Sequence, residues 1–176
     1  MSAEEQQEAL IVLPPPGSVA DLFAEVLPEV KLQATQGAQD VILTVDRGDV
    51  ARVLRTARDD PRLDFKYLRC LSGVDHMEGG LEVVYHLYSY THKHNVTIKT
   101  PLPQDDPRLA SVTSIWRGAD WHEREAAEMF GIVFQGHPDL RPLLLEEGLG
   151  YYPLLKSHPL AEIEEWQEEL IKVETP

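Results

Sequence analysis

The order of strand-like and helix-like segments predicts that this chain of 176 residues is an α+β protein. We expect a mostly antiparallel sheet of about four strands with helices packed on it. Three strand-like runs follow one another in the middle of the chain, before the last helices. Connections of hairpin length separate those runs, which favours antiparallel pairing. Hydrophobic residues make up 43% of the sequence, enough for one domain with a core.

The first part of the predicted domain has the order helix, strand, helix. Ser18 can cap a short helix that ends near Pro28, because proline does not continue a helix. The compact apolar run at 41–45 is typical of a strand. A second helix is predicted from apolar residues at helical spacing, namely Val50, Val53, Leu54 and Ala57. An Asp-Asp-Pro break at 59–61 ends it.

Three predicted strands follow, at 65–72, 81–90 and 95–100. A Glu-Gly-Gly turn separates the first two, and a Thr-His-Lys-His turn separates the last two. The sequence Asp-Asp-Pro-Arg-Leu, present at 59–63, returns at 105–109. There it is predicted to lead into a helix capped by Ser111 or Thr113.

The two ends of the chain differ from this domain in composition. Residues 1–17 finish in Pro-Pro-Pro-Gly, which favours an extended N-terminal arm. Residues 160–176 have the pattern of an amphipathic helix, which could fold back on the domain or dock on another protein. Its apolar stripe consists of Leu160, Ile163, Trp166, Leu170 and Ile171. The predicted organisation is therefore an arm (1–17), one α+β domain (18–159) and a C-terminal helix (160–176).

The chain is strongly acidic, with a formal net charge of −14. Residues 104–176 hold 6 Lys or Arg against 15 Asp or Glu and so contribute −9 of this charge. Such a field repels phosphates, which argues against nucleic acid or a lipid surface as a direct ligand. The negative charge is explained either by solubility alone or by binding to a basic protein partner. Without a long apolar run or the basic start of a signal peptide, a soluble cytoplasmic chain is expected.

The sequence lacks the motifs of common cofactor and catalytic sites. Cys70 is the only cysteine, whereas an iron–sulfur cluster normally needs four thiolates. Its apolar neighbours predict a buried, inert thiol. Neither a glycine-rich phosphate loop nor a G-x-S-x-G elbow is present. We therefore expect no metal or redox cofactor bound by this chain.

The densest pattern lies at 121–141. A helix is predicted from Trp121 to Gly131, because glycine commonly ends a helix. Its apolar face follows helical spacing through Ala126, Met129, Phe130 and Val133, the last of which lies beyond the glycine. A short strand-like run and a Gly-His-Pro turn come next.

The charged residues of this helix have more than one interpretation. Arg124 can pair with Asp120 and Glu128, four residues away on either side. Glu123, Glu125 and Glu128 could form an acid–base set. No nucleophile motif accompanies them, so a solvated or partner-facing helix side, tied by Arg124, is the preferred interpretation.

Histidines offer a metal-site alternative. Residues 122–126 begin like a zinc protease helix but have alanine where a second histidine is required. In a metal-dependent hydrolase, the fold would have to bring further ligands to His122. The candidates are His137, His158 and the pair His92 and His94. The simpler expectation is a polar hairpin tip for the His92–His94 pair and a backbone-bonded turn for His137.

Taken as a whole, the stretch resembles one subunit, lettered C, of the respiratory NADH–quinone oxidoreductase (complex I), a family shared with membrane-bound hydrogenases. The similarity covers roughly 65–159 and is tightest at 105–141. The residues that match the family pattern are Pro107, Leu109, Ser111, Val112, Thr113, Trp116, Glu123, Arg124, Glu125, Met129, Phe130, Gly131, Ile132, Gly136, His137, Pro138, Leu140 and Arg141.

The resemblance implies a non-redox scaffold subunit in the peripheral arm of a proton-translocating complex, on the cytoplasmic side of the cell membrane. The chain would pack against the larger subunit that helps form the quinone site, lettered D, and against neighbouring iron–sulfur subunits. FMN, iron–sulfur clusters and quinone would belong to the complex, and the isolated chain would not be catalytic. The expected partner face is Trp121, Glu123, Arg124, Glu125, Glu128, His137, Asp139 and Arg141.

The chain departs from the family pattern at Ala127, Pro142, Leu155 and Ser157, where the family usually has tyrosine, arginine, arginine and aspartate. The charged contacts of those family residues are therefore not expected here. The resemblance also fits the equivalent subunit of a membrane-bound hydrogenase or another ferredoxin or quinone oxidoreductase. A stand-alone metal-dependent hydrolase is the alternative of a different class.

Overall fold

The structure is a computed structural model, and it describes Pro15 and residues 17–158. Most of the predicted arm (1–17) and the predicted helix at 160–176 lie outside the described residues, so the division into three parts stays a prediction. The elements are α1 (Val19–Val26), β1 (Gln33–Gln36), β2 (Val41–Thr44), α2 (Val50–Asp59), β3 (Tyr67–Asp75), a short 3-10 helix (Met77–Gly79), β4 (Leu81–Ser89), β5 (His94–Leu102), β6 (Arg108–Ala110), α3 (Ala119–Phe130) and β7 (Val133–Gln135).

A five-stranded sheet in the order β1-β2-β5-β4-β3 forms the centre of the fold. Its pairs are antiparallel except for β2 with β5, which run parallel. The predicted α+β class and the largely antiparallel sheet are confirmed. Strand β1 and the parallel pair were not predicted. The sequence Gln-Ala-Thr-Gln of β1 has little apolar content, and parallel pairing joins strands that are far apart in the chain.

The core lies between the sheet and the helices. Successive side chains of a strand point to opposite faces of the sheet, and β4 buries Leu81, Val83, Tyr85 and Leu87 on one face. Helix α2 buries the four residues whose spacing predicted it, and α1 buries Phe23, whose ring lies 5.9 Å from that of Phe65. The stability of these contacts comes mainly from apolar surface removed from water.

Helix α3 packs against β3, at the edge of the sheet. Gly73 permits this close approach, because a Cβ atom there would lie 2.5 Å from Cδ2 of Phe130. The helix begins at Ala119, two residues before the predicted start, and is followed by Gly131 at φ 77°, as predicted. None of the helices in the described part of the chain is long and apolar enough to cross a membrane.

The predicted helix after the second Asp-Asp-Pro-Arg-Leu sequence is wrong. Residues 111–118 form turns and irregular structure instead, and the next helix begins only at Ala119. Residues 108–110 form strand β6, which pairs in parallel with β7, the strand that follows α3 in the chain. The pairing continues at both ends, since Val133 N–H donates to Pro107 O (2.9 Å) and Ser111 N–H to Gln135 O (2.8 Å). These hydrogen bonds to a distant part of the chain determine the conformation of 107–111, and the local helix-capping signal of Ser111 and Thr113 does not.

Candidate partner-binding surface

Glu123 connects α3 to the segment that enters the helix. Its side chain is 0% exposed, and Oε1 accepts a 2.6 Å hydrogen bond from Val112 N–H. Burial raises the pKa of this carboxyl, and the Val112 N–H opposes that effect. Glu123 is therefore not on a solvated side of the helix, which corrects that part of the expectation. It holds the β6–α3 connection from inside.

Glu128 connects the same helix to the segment that follows β7. Its two carboxylate oxygens accept hydrogen bonds from three successive backbone N–H groups, those of Leu143 (2.9 Å), Leu144 (3.0 Å) and Leu145 (3.2 Å). Consecutive N–H groups pointing at one anion form a small anion-binding concavity. Here the anion is a side chain of the same protein, so its charge fixes the loop conformation.

Arg124 complements Glu128 on the adjacent part of this loop. Its Nε donates to Arg141 O (2.8 Å) and its Nη2 donates to Pro142 O (2.9 Å). The expected pairs of Arg124 with Asp120 and Glu128 are therefore replaced by bonds to carbonyl groups. A planar guanidinium is suited to this because its donors diverge in a fixed plane. The family departure at Pro142 does not disturb the contact, since a proline still offers a carbonyl oxygen.

The chain then folds back over the C-terminal end of α3. Leu154 N–H donates to Met129 O (3.1 Å), and Lys156 N–H donates to Asp75 Oδ2 (2.8 Å) at the end of β3. The bond from Lys156 lowers the pKa of the Asp75 carboxyl, against the effect of its burial. Gly131 makes room for this return, because a Cβ atom there would lie 2.6 Å from Cε2 of Tyr152.

The Gly-His-Pro turn is built around a buried imidazole. Nδ1 of His137 accepts from Asp139 N–H (3.0 Å), and Nε2 lies 3.3 Å from Asp120 O. Because Nδ1 is an acceptor, Nε2 carries the proton and donates to the carbonyl. The expected backbone bonding of this histidine is confirmed. Nearby, Arg141 binds Asp139 through Nε (3.0 Å) and Nη2 (2.8 Å) at the surface, and this arginine lowers the pKa of the aspartate.

The described structure thus divides the eight predicted interface residues into two groups. Trp121, Glu125, Asp139 and Arg141 are exposed or carry exposed side chains. The other four, Glu123, Arg124, Glu128 and His137, bond to backbone within the chain. The whole set lies on or beside α3, but only the first group offers side chains for a partner to contact.

Apolar surface surrounds the exposed group. Trp121 is 67% exposed and Leu144 is 63% exposed, and both line a shallow hollow of about 400 Å³ that also includes His122 and Glu125. A second hollow of about 240 Å³ lies on the other flank of α3, against β3, and shares His122 and Glu125 with the first. A large indole left in water beside aliphatic side chains is typical of a protein-binding surface.

Sequence reasoning missed several residues that shape this surface. Leu143 and Leu144 were not singled out, because a Pro-Leu-Leu-Leu run carries no periodic signal in a loop. Asp75 lies beyond the strand predicted at 65–72 and was not singled out, although it anchors a segment 81 residues later in the chain. Only the hydrophobicity of the leucines, unusual for a loop, could have indicated them.

The histidines are dispersed in the structure. His92 Nε2 lies 2.8 Å from Pro61 O, and the ring of His94 packs at 4.9 Å from that of Phe65. The hairpin tip therefore packs on the turn before β3, while His122 and His137 lie at α3. Within residues 17–158, no group of three or more His, Cys, Asp and Glu side chains is arranged to hold a metal ion.

Cys70 lines the second hollow, on β3. The thiol is half-buried, and its burial raises the pKa above the ordinary value, an effect to which the nearby Glu125 carboxylate adds. A raised pKa means little thiolate at neutral pH, so the predicted low reactivity agrees with these surroundings.

The fold and this surface together define the class of the protein. It is a sheet-based α+β domain that carries a helix held by hydrogen bonds to its loops, with an apolar surface around that helix. The model of the respiratory-chain NADH dehydrogenase 30 kDa subunit family matches residues 43–164. The chain belongs to this family. The resemblance noted in the sequence is thereby confirmed.

Individual relatives agree with the family match. The chain is 50% identical over 107 residues to the NADH-quinone oxidoreductase subunit lettered C of Chloroherpeton thalassium, an alignment that covers 60% of this chain but only 45% of that protein. It is 38% identical over 145 residues to the protein of the same name from a Roseiflexus species, covering 81% of this chain and 83% of the relative.

Solved structures show the same fold. The structure of the trypsin-resistant fragment 1–134 of Nqo5 superposes on this chain with a TM-score of 0.59 and 25% sequence identity. The match covers 69% of this chain and 98% of the fragment. A chain of the membrane-bound sulfane sulfur reductase, an archaeal respiratory membrane complex, matches over 89% of this chain at 21% identity and a TM-score of 0.69. At that identity the second match shows a shared fold only.

Proposed function

We propose that this chain is the non-redox scaffold subunit, lettered C, of the peripheral arm of an NADH–quinone oxidoreductase. In this role it packs against the larger quinone-site subunit and against neighbouring iron–sulfur subunits. It supports electron transfer from NADH to quinone, and the coupled proton translocation, without touching either substrate. FMN, iron–sulfur clusters and quinone belong to other subunits, and the chain is peripheral, on the cytoplasmic side of the cell membrane.

The observation that carries the proposal is the exposed Trp121 on a helix whose surroundings are rigidly braced. Four polar side chains of the helix and its loops, three of them charged, hold backbone groups, so the surface keeps one shape before a partner arrives. A preformed aromatic anchor loses little conformational entropy on binding. Family membership, and relatives named as a subunit of this oxidoreductase, support the choice of complex.

The eight predicted interface residues have two roles in this proposal. Trp121, Glu125, Asp139 and Arg141 contact the partner. Glu123, Arg124, Glu128 and His137 position the surface from within. An exposed salt bridge such as the one between Asp139 and Arg141 contributes little affinity, so it serves orientation and partner choice more than strength.

The test is a Trp121→Ala variant of the tagged chain, expressed in place of the wild type in its source organism. Truncation of an exposed aromatic anchor typically costs about 2 kcal/mol or more of binding free energy, which is about 30-fold in affinity. We expect the variant to recover far less of an iron-rich, NADH-oxidising assembly from detergent-solubilised membranes. The matched control is Tyr90→Ala, which removes another aromatic side chain, 64% exposed, from the β4–β5 hairpin instead of α3.

Three results would contradict the proposal. Recovery of the wild-type chain alone would remove the scaffold role and reopen the stand-alone hydrolase. An assembly without NADH oxidation would place the chain in the hydrogenase or ferredoxin branch. Equal loss of assembly in both aromatic variants would show that Trp121 has no special part in the interface. Circular dichroism of each purified chain separates loss of binding from loss of folding.

A further inference from the structure

Strand β3 leaves one of its long sides without a partner strand. It runs for nine residues, Tyr67–Asp75, and occupies the end of the five-stranded sheet, where β4 is its only neighbour. The pairing with β4 is interrupted by a register shift between Leu68 and Cys70, after which it is regular to Asp75. In the described part of the chain, the backbone groups of 68–74 make no hydrogen bonds beyond the pairing with β4.

Natural proteins rarely leave such an edge unprotected, because its free N–H and C=O groups can pair with another chain. The one irregularity in this strand lies at Arg69, whose guanidinium binds Asn95 Oδ1 (3.1 Å). From Cys70 onward the edge carries no charged residue until Asp75, whose carboxylate bonds to Met77 N–H and Lys156 N–H. The segment 70–74 therefore has the form of a site for an added strand.

A hollow runs beside this part of the edge. It has a volume of about 240 Å³, with residues 70–73 as one wall and Ala126, Met129, Phe130 and Leu154 as the apolar part of the other wall. Added strands bind in this way, since their backbone pairs with the edge and every second side chain enters a hollow. Glu125, which is exposed, stands at the rim of the hollow.

Charge decides which segment fits. A second copy of the chain would bring another net charge of −14 to this surface. The chain's own residues 159–176 hold six Glu and one Lys, so they would bring negative charge to Glu125. A segment from a partner that carries Lys or Arg next to an apolar residue would meet opposite charge at Glu125 and fill the hollow.

We propose that the free edge of β3 at 70–74 binds an extended, basic segment of another protein of the assembly as an additional strand, with an apolar side chain in the hollow and a Lys or Arg at Glu125. The inference rests on the proposed function, since it takes the partner from the same assembly. It adds a backbone-mediated contact to the side-chain surface around Trp121.

Hydrogen exchange measures this contact directly. The full chain is compared alone and within the detergent-purified assembly, with peptides covering residues 67–75. Strand addition slows exchange of the outward-facing amides at 70–74 by at least about tenfold, because each gains a hydrogen-bond acceptor. Alkylation of Cys70, the only cysteine of the chain, slows in parallel as the hollow fills.

A pair of charge reversals tests the choice of a basic segment. In the assembly, Glu125→Lys replaces an attraction between exposed charges by a repulsion. We expect it to reduce the protection of the outward-facing amides of 70–74 by about 3- to 10-fold. Glu78→Lys is the matched control, because Glu78 is exposed in the 3-10 helix beyond the end of β3 and is outside the hollow. Its protection pattern should equal that of the wild type.

The outcomes that overturn the inference are distinct. Protection of the outward-facing amides of 70–74 in the isolated monomeric chain would mean that its own tail covers the edge, and protection of these amides that appears only with dimerisation would assign it to a second copy. Unchanged exchange within a recovered, active assembly would refute strand addition while leaving the scaffold function intact. Failure to recover any assembly would refute the scaffold function itself.

Discussion

The two halves of this domain are stabilised in different ways. The sheet with α1 and α2 is held by apolar side chains, including Phe23, Leu43 and Phe65, all with no exposed surface. The region of α3 and residues 131–158 contains few buried side chains, and there hydrogen bonds join charged side chains to backbone. Three carboxylates, those of Asp75, Glu123 and Glu128, together accept hydrogen bonds from six different backbone N–H groups outside α3.

This difference shows how a small domain can support a large irregular surface. Loops have no ladder to satisfy their backbone groups, so each N–H needs another acceptor. Here the acceptors come from one helix and one strand end, which places the loop relative to regular structure. The sheet side determines whether the domain folds, and the α3 side determines the shape that a partner meets.

The largest effect is expected on the sheet side. Phe65→Ala removes a ring that is fully buried between Phe23 and His94. We expect the free energy of unfolding to fall by about 3–5 kcal/mol, the usual cost of deleting a core phenylalanine. Urea denaturation of the isolated chain measures it. Tyr90→Ala, at an exposed position, removes only surface ring contacts with Tyr67 and Tyr88 and should change the value by about 1.5 kcal/mol or less. Similar losses for both variants would mean that this side lacks a specific core.

A smaller effect is expected at Glu123. Glu123→Ala leaves the buried Val112 N–H without an acceptor, which costs about 1–3 kcal/mol. Glu123→Gln keeps a carbonyl oxygen for that N–H and should retain most of the stability. Denaturation at pH 5 compares the two variants. Equal losses for Ala and Gln would mean that side-chain volume, rather than the hydrogen bond, matters at this position.

The same residue predicts a dependence on pH. Burial raises the pKa of Glu123 in the folded state above its ordinary value of 4.5, so between the two values the folded chain holds the extra proton. This contribution to stability is fully present below the unfolded pKa and is lost as pH rises through the folded pKa. Glu123→Gln cannot titrate, so its stability relative to wild type should increase as pH rises above 4.5. A constant difference would contradict the raised pKa.

The smallest effect on the free energy of unfolding is expected at Glu128, where the main effect is on hydrogen exchange in the loop at 143–145. Glu128→Ala frees the N–H groups of Leu143, Leu144 and Leu145, which lie near the surface and can bind water instead. Global stability should fall by less than about 1 kcal/mol, while exchange of these three amides accelerates by roughly tenfold. Glu125→Ala, on the exposed side of the same helix, is the control and should leave both unchanged. Unaltered exchange at 143–145 would show that Glu128 does not fix the loop.

How much could be predicted from the sequence follows the same division. Helix α2 and strands β4 and β5 follow the apolar spacing of their own residues, so they were predicted to within two residues at each end. The end of α3 at Gly131 and the strand that follows it were also predicted, because glycine stops are local signals. Strand β1 and the conformation of 105–115 were not, since their partners lie elsewhere in the chain.

By itself, the sequence determined the fold class, the family and the helix that carries the interface, because apolar periodicity, glycine position and an ordered motif are all local. Only the tertiary structure decided what each charge of that motif does. Glu123 and Glu128 have the same side chain on the same helix, yet one is buried on Val112 N–H and the other holds a loop at the surface. A carboxylate's role depends on which backbone groups the fold brings within hydrogen-bonding distance, and no spacing within the helix encodes that.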